Sequence, residues 1–214
     1  MKKRILCFGD SLTWGYNPQN HSRFDDDTRW TGVLQSLLGN DYLVIEEGQN
    51  GRTIALDDVT TGEKNASCYI IPCIESQSPL DMIIIMLGTN DLKAHFHMKP
   101  GDVAGEMELL LKRIISHNSF GGNKDCKIIL MSPPHLGDNL DESWLAEYYD
   151  CGSAIEYSKE LSKWYRRLAK VYNCQFLDAA DFVQASKIDA CHMNGENHIK
   201  LGTKVAEIVK SIFE

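Results

Sequence analysis

The feature that most constrains the fold is a regular alternation between short, continuously apolar segments and longer segments with helical periodicity. The apolar segments are residues 4–8, 42–45, 82–87, 127–131 and 174–177. The helical patterns lie at 30–38, 102–117, 155–171 and 199–212. Continuous apolar runs are typical of strands that are covered on both faces. The alternation therefore predicts a three-layer α/β/α domain with a flavodoxin-like, doubly wound parallel sheet of five strands.

Length and composition fit one globular domain that spans residues 1–214. Hydrophobic residues make up 43% and charged residues 24% of the chain, as in ordinary globular proteins. The longest apolar run, residues 82–87, is far shorter than the roughly 20 residues that a transmembrane helix needs. The run at 5–8, after the basic start, is too short for the core of a signal peptide. We therefore expect a cytoplasmic protein without a membrane partner.

The net charge restricts the class of partner, and the cysteines indicate the redox environment. The net charge is -8 at pH 7, whereas nucleic acids and anionic membranes attract basic surfaces, so we expect no nucleic-acid partner. The seven cysteines are an odd number, and several fall inside predicted strands. Free thiols in a reducing compartment are the expectation.

A serine and an aspartate–histidine pair follow the first and last predicted strands. Ser11 lies in the sequence GDSL at 9–12, and Asp189 and His192 lie three positions apart after the last strand. In open parallel sheets, ligands bind beyond the carboxyl ends of the strands. A serine hydroxyl becomes an effective nucleophile when a histidine removes its proton and a third group orients that histidine. These residues are candidates for those three roles, and a helix N-cap is the alternative role of Ser11.

Two other strand ends carry candidate hydrogen-bond donors for the negative oxygen of a tetrahedral intermediate. Asn90 lies in the sequence GTND at 88–91, after the third strand. The glycine-containing segment after the second strand offers a backbone N–H at either Gly48 or Gly51. Acyl transfer requires such donors, and loss of one typically costs about 2.7–4 kcal/mol of transition-state stabilisation. We prefer Gly51, which precedes the sequence RT at 52–53.

In this order, the segments resemble blocks I, II, III and V of the SGNH (GDSL) hydrolases. The blocks correspond to GDSL at 9–12, Gly51, GTND at 88–91 and DACH at 189–192. The resemblance spans nearly the whole chain and is closest to the arylesterase and acyltransferase branch. It implies that Ser11 is the nucleophile, His192 the base and Asp189 its orienting acid. It also implies an oxyanion hole formed by the N–H groups of Ser11 and Gly51 and the side chain of Asn90.

The resemblance implies hydrolysis of small carboxylic esters through an acyl-enzyme, with no cofactor and no metal. Carbohydrate O-acetylesterase or acyltransferase activity with the same residues is the alternative, and a non-catalytic ligand-binding module is a more distant one. The first turn lacks a glycine-rich phosphate cradle and carries Asp10, which disfavours a phosphate binder. Related esterases of this branch often assemble, so a homo-oligomer stays open.

Several further residues receive a structural interpretation with a functional alternative. Asp10 and Asp91 are expected to stabilise the turns in which they lie. Asp10 is expected to lie next to the reacting groups without reacting itself. Trp14 lies three residues after the serine and is the tryptophan expected to line an acyl pocket. The thiol of Cys191 is an alternative nucleophile. The histidines at 95 and 97 have the spacing of metal ligands, but no third ligand is evident near them.

The remaining tryptophans, Trp30, Trp144 and Trp164, are expected in the core. Two segments rich in Pro, Asp, Asn and Gly, residues 17–28 and 132–144, are expected to form loops at the edge of the sheet. Loops of this length often contribute to function.

Overall fold

The structure is a computed structural model that describes residues 2–121 and 123–213. Its central feature is one sheet of five parallel strands in the order β2-β1-β3-β4-β5. The strands are β1 (Lys3–Gly9), β2 (Tyr42–Gly48), β3 (Met82–Met86), β4 (Lys127–Ser132) and β5 (Gln175–Asp178). This flavodoxin-like order has its switch point between β1 and β3, where open sheets of this kind bind ligands. The predicted sheet is confirmed.

Helices cover both faces of the sheet. They are α1 (Ser11–Trp14), α2 (Trp30–Leu38), α3 (Ala66–Gln77), α4 (Pro100–Phe120), α5 (Cys151–Val171) and α6 (Gly195–Phe213). Helices α2 and α6 pack on one face, and α3, α4 and α5 pack on the other. The three-layer architecture is therefore confirmed. Among the described residues, no helix combines the length and the hydrophobicity that a membrane span requires.

The central strand β3 shows why its sequence is continuously apolar. Ile83 and Ile85 belong to the core beneath α3, α4 and α5, and Met82, Ile84 and Met86 belong to the core beneath α2 and α6. All five side chains are fully buried. Successive residues of a strand face opposite sides of the sheet, so a strand with helices on both sides has no position for a polar residue.

Helix α3 is the longer of the two helices, α1 and α3, that the sequence pattern did not predict. It contains Pro72, which lacks a backbone N–H and normally interrupts a helix. The helix is nevertheless capped by Asn65, whose side chain accepts a hydrogen bond from Cys68 N at 3.0 Å. Ile70 and Ile74 lie one turn apart and are fully buried against the sheet. Tertiary burial and a good cap therefore outweigh the unfavourable residue.

Two neighbouring leucines of α4 provide a test of this core. Leu110 is fully buried, whereas Leu109 is 59% exposed. Leu110→Ala should lower the free energy of unfolding by about 2–5 kcal/mol, because it removes buried apolar contacts and leaves a cavity. Leu109→Ala should change it by less than about 0.5 kcal/mol. Urea unfolding of both variants measures the difference, and equal effects would contradict the assigned orientation of α4.

Candidate active site

The turn after β1 presents Ser11 at the first position of α1. The carboxylate of Asp10 caps this short helix by accepting a hydrogen bond from Leu12 N at 2.9 Å. Gly9 permits the tight turn, because a side chain there would overlap that of Thr13 and a backbone oxygen of β3. Burial raises the pKa of Asp10 to about 7, although the hydrogen bond from Leu12 favours its carboxylate. Ser11 itself is 8% exposed, at the carboxyl edge of the sheet.

The loop between β5 and α6 brings a histidine and an aspartate to this serine. His192 Nε2 lies 2.9 Å from Ser11 Oγ, and His192 Nδ1 lies 2.7 Å from Asp189 Oδ2. Asp189 Oδ1 also accepts hydrogen bonds from the backbone N–H groups of Cys191 at 3.1 Å and His192 at 2.9 Å. Burial alone would raise the pKa of Asp189, but these bonds and the nearby imidazole outweigh it and lower the pKa. Asp189 is therefore a buried, ionised acceptor for the imidazole.

The turn that brings Asp189 to His192 contains a residue, Ala190, whose backbone has a left-handed conformation. Ala190 has φ of 56°, and its N–H and C=O groups bond to Ser186 and Gly137 at 2.8 and 2.7 Å. Such a conformation is uncommon for a residue other than glycine, and here hydrogen bonds at both backbone groups hold it. As a result, Asp189 and His192 face each other although they are only three positions apart.

Asn90 and Gly51 follow β3 and β2, and both line the cavity at this edge of the sheet. The Nδ2 group of Asn90 donates to Arg52 O at 3.1 Å and lies 3.5 Å from Asp10 Oδ2. Gly51 has φ of 80° and lines the same cavity as Ser11 and Asn90. Gly48 has a different place, because a side chain there would overlap the backbone of α1. Of the two candidate glycines, Gly51 is the one that lines the cavity together with the serine.

A cavity of about 240 Å³ opens beside these groups. One part of its wall is aromatic and is formed by Tyr16, Trp144, Tyr148 and Tyr149. Another part is polar and is formed by Asn50, Thr60, Thr61 and Lys93. A small, largely apolar cavity with a few convergent polar groups is the usual form of a small-molecule site.

Residues 7–198 match the model of the GDSL-like lipase/acylhydrolase family. The chain belongs to this family. The earlier resemblance to SGNH hydrolases is thereby confirmed, and the chain is a carboxylic ester hydrolase. No curated protein sequence matches the chain significantly.

Solved structures of the family superpose closely on the whole chain. A carbohydrate acetylesterase from Sinorhizobium meliloti is 37% identical, with a TM-score of 0.91 over 99% of this chain and 100% of that one. The aryl esterase of M. smegmatis is 38% identical, with a TM-score of 0.90 over 98% of this chain and 99% of that one. A carbohydrate acetylesterase family member from Sinorhizobium meliloti is 32% identical, with a TM-score of 0.88 over 98% of both chains.

Two tryptophans of this family member lie elsewhere than the sequence predicted. Trp14 does not line the cavity and packs instead beside Tyr16, with ring centroids 6.5 Å apart. Trp144 was expected in the core, yet it is 50% exposed and lines the cavity. The centroid of the Tyr16 ring lies 4.1 Å from that of the His192 ring. Tyr16 follows the serine by five residues, and that closeness in sequence was the available signal for it.

Cys191 lines the cavity but does not have the environment of a nucleophile. Burial, followed by the charge of Asp189, raises the pKa of its thiol well above the usual value. A protonated thiol is a weak nucleophile. The imidazole of His192 faces Ser11 Oγ at 2.9 Å, so the serine hydroxyl is the group in contact with it.

Lys93, which lines the cavity, belongs to a buried ion pair. Lys93 Nζ lies 2.6 Å from Asp58 Oδ2, and both side chains are at most 9% exposed. Asp58 also accepts a hydrogen bond from Thr60 N at 2.9 Å, and His95 Nε2 lies 3.4 Å from it. Burial opposes ionisation of Asp58, but the bonds from Lys93 and Thr60 lower its pKa to about 2. Among the described residues there is no cluster of His, Cys, Asp and Glu suited to a metal ion.

This ion pair generates a stability prediction. Asp58→Asn should lower the free energy of unfolding by about 3–5 kcal/mol, because it leaves the buried Lys93 ammonium without its counter-charge. Glu63→Gln removes an exposed carboxylate from the same loop and should have little effect. Thermal or urea unfolding at pH 7 compares the two. Because the pKa of Asp58 is lowered, its contribution should persist in acid and disappear as the pH falls toward 2.

Proposed function

We propose that the chain hydrolyses small carboxylic esters with Ser11 as nucleophile, His192 as base and Asp189 as orienting acid. The observation that carries the proposal is the unbroken series of contacts from Ser11 Oγ to His192 at 2.9 Å and from His192 to Asp189 at 2.7 Å. The series lies at the wall of a cavity, where a bound ester would meet the hydroxyl.

Each residue then has a defined task. His192 Nε2 accepts the proton of Ser11 as Oγ attacks the ester carbonyl, and later returns it to the departing alcohol. Asp189 accepts a hydrogen bond from the Nδ1–H group, which keeps Nε2 free of a proton in the resting state and stabilises the imidazolium that forms. Water repeats the sequence on the acyl-enzyme and releases the acid, so no cofactor is needed.

The negative oxygen of the tetrahedral intermediate would be bound by the N–H groups of Ser11 and Gly51 and by the Asn90 side chain. The N–H of Ser11 is at the start of α1, where helix N–H groups have no partner within the helix. Gly51 and Asn90 line the cavity together with the serine. Donors that are fixed before the reaction stabilise this charge without a cost of reorganisation.

The size and lining of the cavity favour short acyl groups. A volume of about 240 Å³ is below the lower limit for drug-sized ligands, so a long acyl chain has little room.

A second candidate function is removal of O-acetyl groups from carbohydrate, which is favoured by the polar lining residues Asn50, Thr60 and Lys93. A carbohydrate acetylesterase is also among the similar structures. Acetate release from acetylated sugars, and ester formation with added alcohol, would separate hydrolysis of simple esters, deacetylation and acyl transfer.

We also propose a reducing, cytoplasmic location. All seven cysteines are free in the structure. Free thiols are normal in compartments where glutathione and thioredoxin prevent disulfide formation.

Ser11→Ala tests the nucleophile. The turnover number for 4-nitrophenyl acetate should fall by a factor of about a thousand or more, because the acyl-enzyme can no longer form. Ser36→Ala changes an exposed serine of α2 and is the matched control. Near-wild-type turnover by the Ser11 variant would refute the proposed mechanism.

Asn90→Ala tests the oxyanion hole. The turnover number should fall roughly 100- to 1000-fold with little change in KM, because the lost hydrogen bond forms fully only in the transition state. Steady-state kinetics with the same ester measures both constants. A rise in KM at unchanged turnover number would instead indicate that Asn90 only binds the substrate.

A further inference from the structure

The buried carboxyl group of Asp91 meets the partly buried one of Glu106, and neither residue lines the cavity. Asp91 follows Asn90 in sequence and is 1% exposed, and Glu106 projects from the second turn of α4. Their side chains are within hydrogen-bond reach of each other. Asp91 Oδ2 and Glu106 Oε2 are both shielded from solvent, and neither accepts a hydrogen bond from a donor group of the described residues. Two adjacent ionised carboxylates would repel each other strongly in this setting, whereas one shared proton turns the repulsion into a hydrogen bond.

We propose that Glu106 is a positioning residue of this esterase: as a neutral acid it donates a hydrogen bond to Asp91 and thereby fixes the oxyanion-hole groups Asn90 and Gly51. The proposal depends on the function proposed above for these two groups. Nothing in it requires Glu106 to touch the substrate, and Glu106 does not line the cavity.

Hydrogen bonds connect the carboxyl pair to the oxyanion-hole groups. Asp91 Oδ1 accepts a bond from Ile54 N at 2.8 Å, and Asn90 Nδ2 donates to Arg52 O at 3.1 Å. The loop after β3 is therefore tied twice to the segment that directly follows Gly51. Because Glu106 lies on α4, its contact with Asp91 connects both segments to that helix. Displacement of the pair would move Asn90 and Gly51 together.

The electrostatic surroundings determine which carboxyl group carries the proton. Burial, followed by the charge of Asp91, raises the pKa of Glu106 to about 8. Burial raises the pKa of Asp91 to about 6. The hydrogen bond from Ile54 N and the charge of Lys93 both favour the carboxylate form of Asp91, so the shared proton belongs on Glu106. The other ionisable groups that act on or face the pair are Asp10 after β1, Lys93 after β3, Asp102 on α4, Tyr149 before α5 and Tyr165 on α5.

Loss of that proton should disturb the site at alkaline pH. Lys93 is the cation that acts on Asp91, but its ammonium is already bound to Asp58. A second negative charge in the pair would therefore be poorly compensated. The two carboxylates should separate, and Asn90 should lose its fixed orientation.

The Glu106→Gln variant keeps the proposed hydrogen bond to Asp91 but removes the ionisable proton of residue 106. Glutamine has the shape of the neutral acid and can donate to Asp91 through its amide, but it has no proton to lose in this range. The wild-type turnover number for 4-nitrophenyl acetate, corrected for uncatalysed hydrolysis, should fall as the pH rises through about 8. The glutamine variant should keep its neutral-pH turnover number and lack this fall. Glu108→Gln, two residues along α4 and outside the pair, is the matched control and should retain the wild-type profile.

Glu106→Leu removes the donor. At pH 7 its turnover number should be roughly 10- to 100-fold lower than that of the glutamine variant, with KM little changed, because misplaced catalytic groups weaken transition-state binding. Infrared difference spectra give a readout independent of activity. The carbonyl band of a protonated carboxylic acid should be present in the wild type at pH 7 and weaker in Glu106→Gln.

An unchanged alkaline fall in Glu106→Gln, or no loss of the carboxylic acid band, would overturn the proposal. Equal turnover numbers of the leucine and glutamine variants at pH 7 would also overturn it. If the proposed mechanism with Ser11 as nucleophile is wrong, the Ser11→Ala variant will remain active. That result does not depend on the Glu106 variants and is therefore distinguishable from failure of the present proposal.

Discussion

All five strands run parallel, so every strand ends at the same edge of the sheet, and the site depends on this constraint. Ser11 follows β1, Gly51 follows β2, Asn90 follows β3, and the Asp189–His192 turn follows β5. The order of strands puts the ends of β2 and β3 on either side of β1. Short turns after β1, β2 and β3 therefore bring three of these groups to one region, and the longer loop after β5 returns across the sheet edge to place His192 against Ser11.

The site region contains several buried carboxyl groups, and each is accommodated by a different partner. Asp189 is ionised and is held by His192 and two backbone N–H groups. Asp58 is ionised and paired with Lys93. The Asp91 carboxylate instead meets Glu106, which we propose to be neutral. Since a buried charge without a partner is costly, each of these contacts also fixes the loop from which it comes.

The fold and the cavity draw on different parts of the chain. The sheet and its helices superpose on acetylesterases and aryl esterases along almost their full length. The aromatic wall of the cavity comes from the first turn and from the segment before α5, through Tyr16, Trp144 and Tyr149. Loops of this kind can change without disturbing the core, so substrate preference can vary within one scaffold.

The sequence by itself determined the five strands, four of the helices that cover them and the candidate site residues Ser11, Asp189 and His192. Apolar runs and helical periodicity are local patterns, and the site segments were recognisable because each follows a strand in the order shared with the family. Only the tertiary structure decided the existence of α3 with its internal proline. It also put Gly51 in the wall of the cavity that Ser11 lines, and Trp144 in that wall in place of Trp14. The contact between Asp91 and Glu106 likewise emerged only from the folded chain. These features depend on distances between segments that are remote in sequence, and packing against the sheet fixes such distances while no local pattern encodes them.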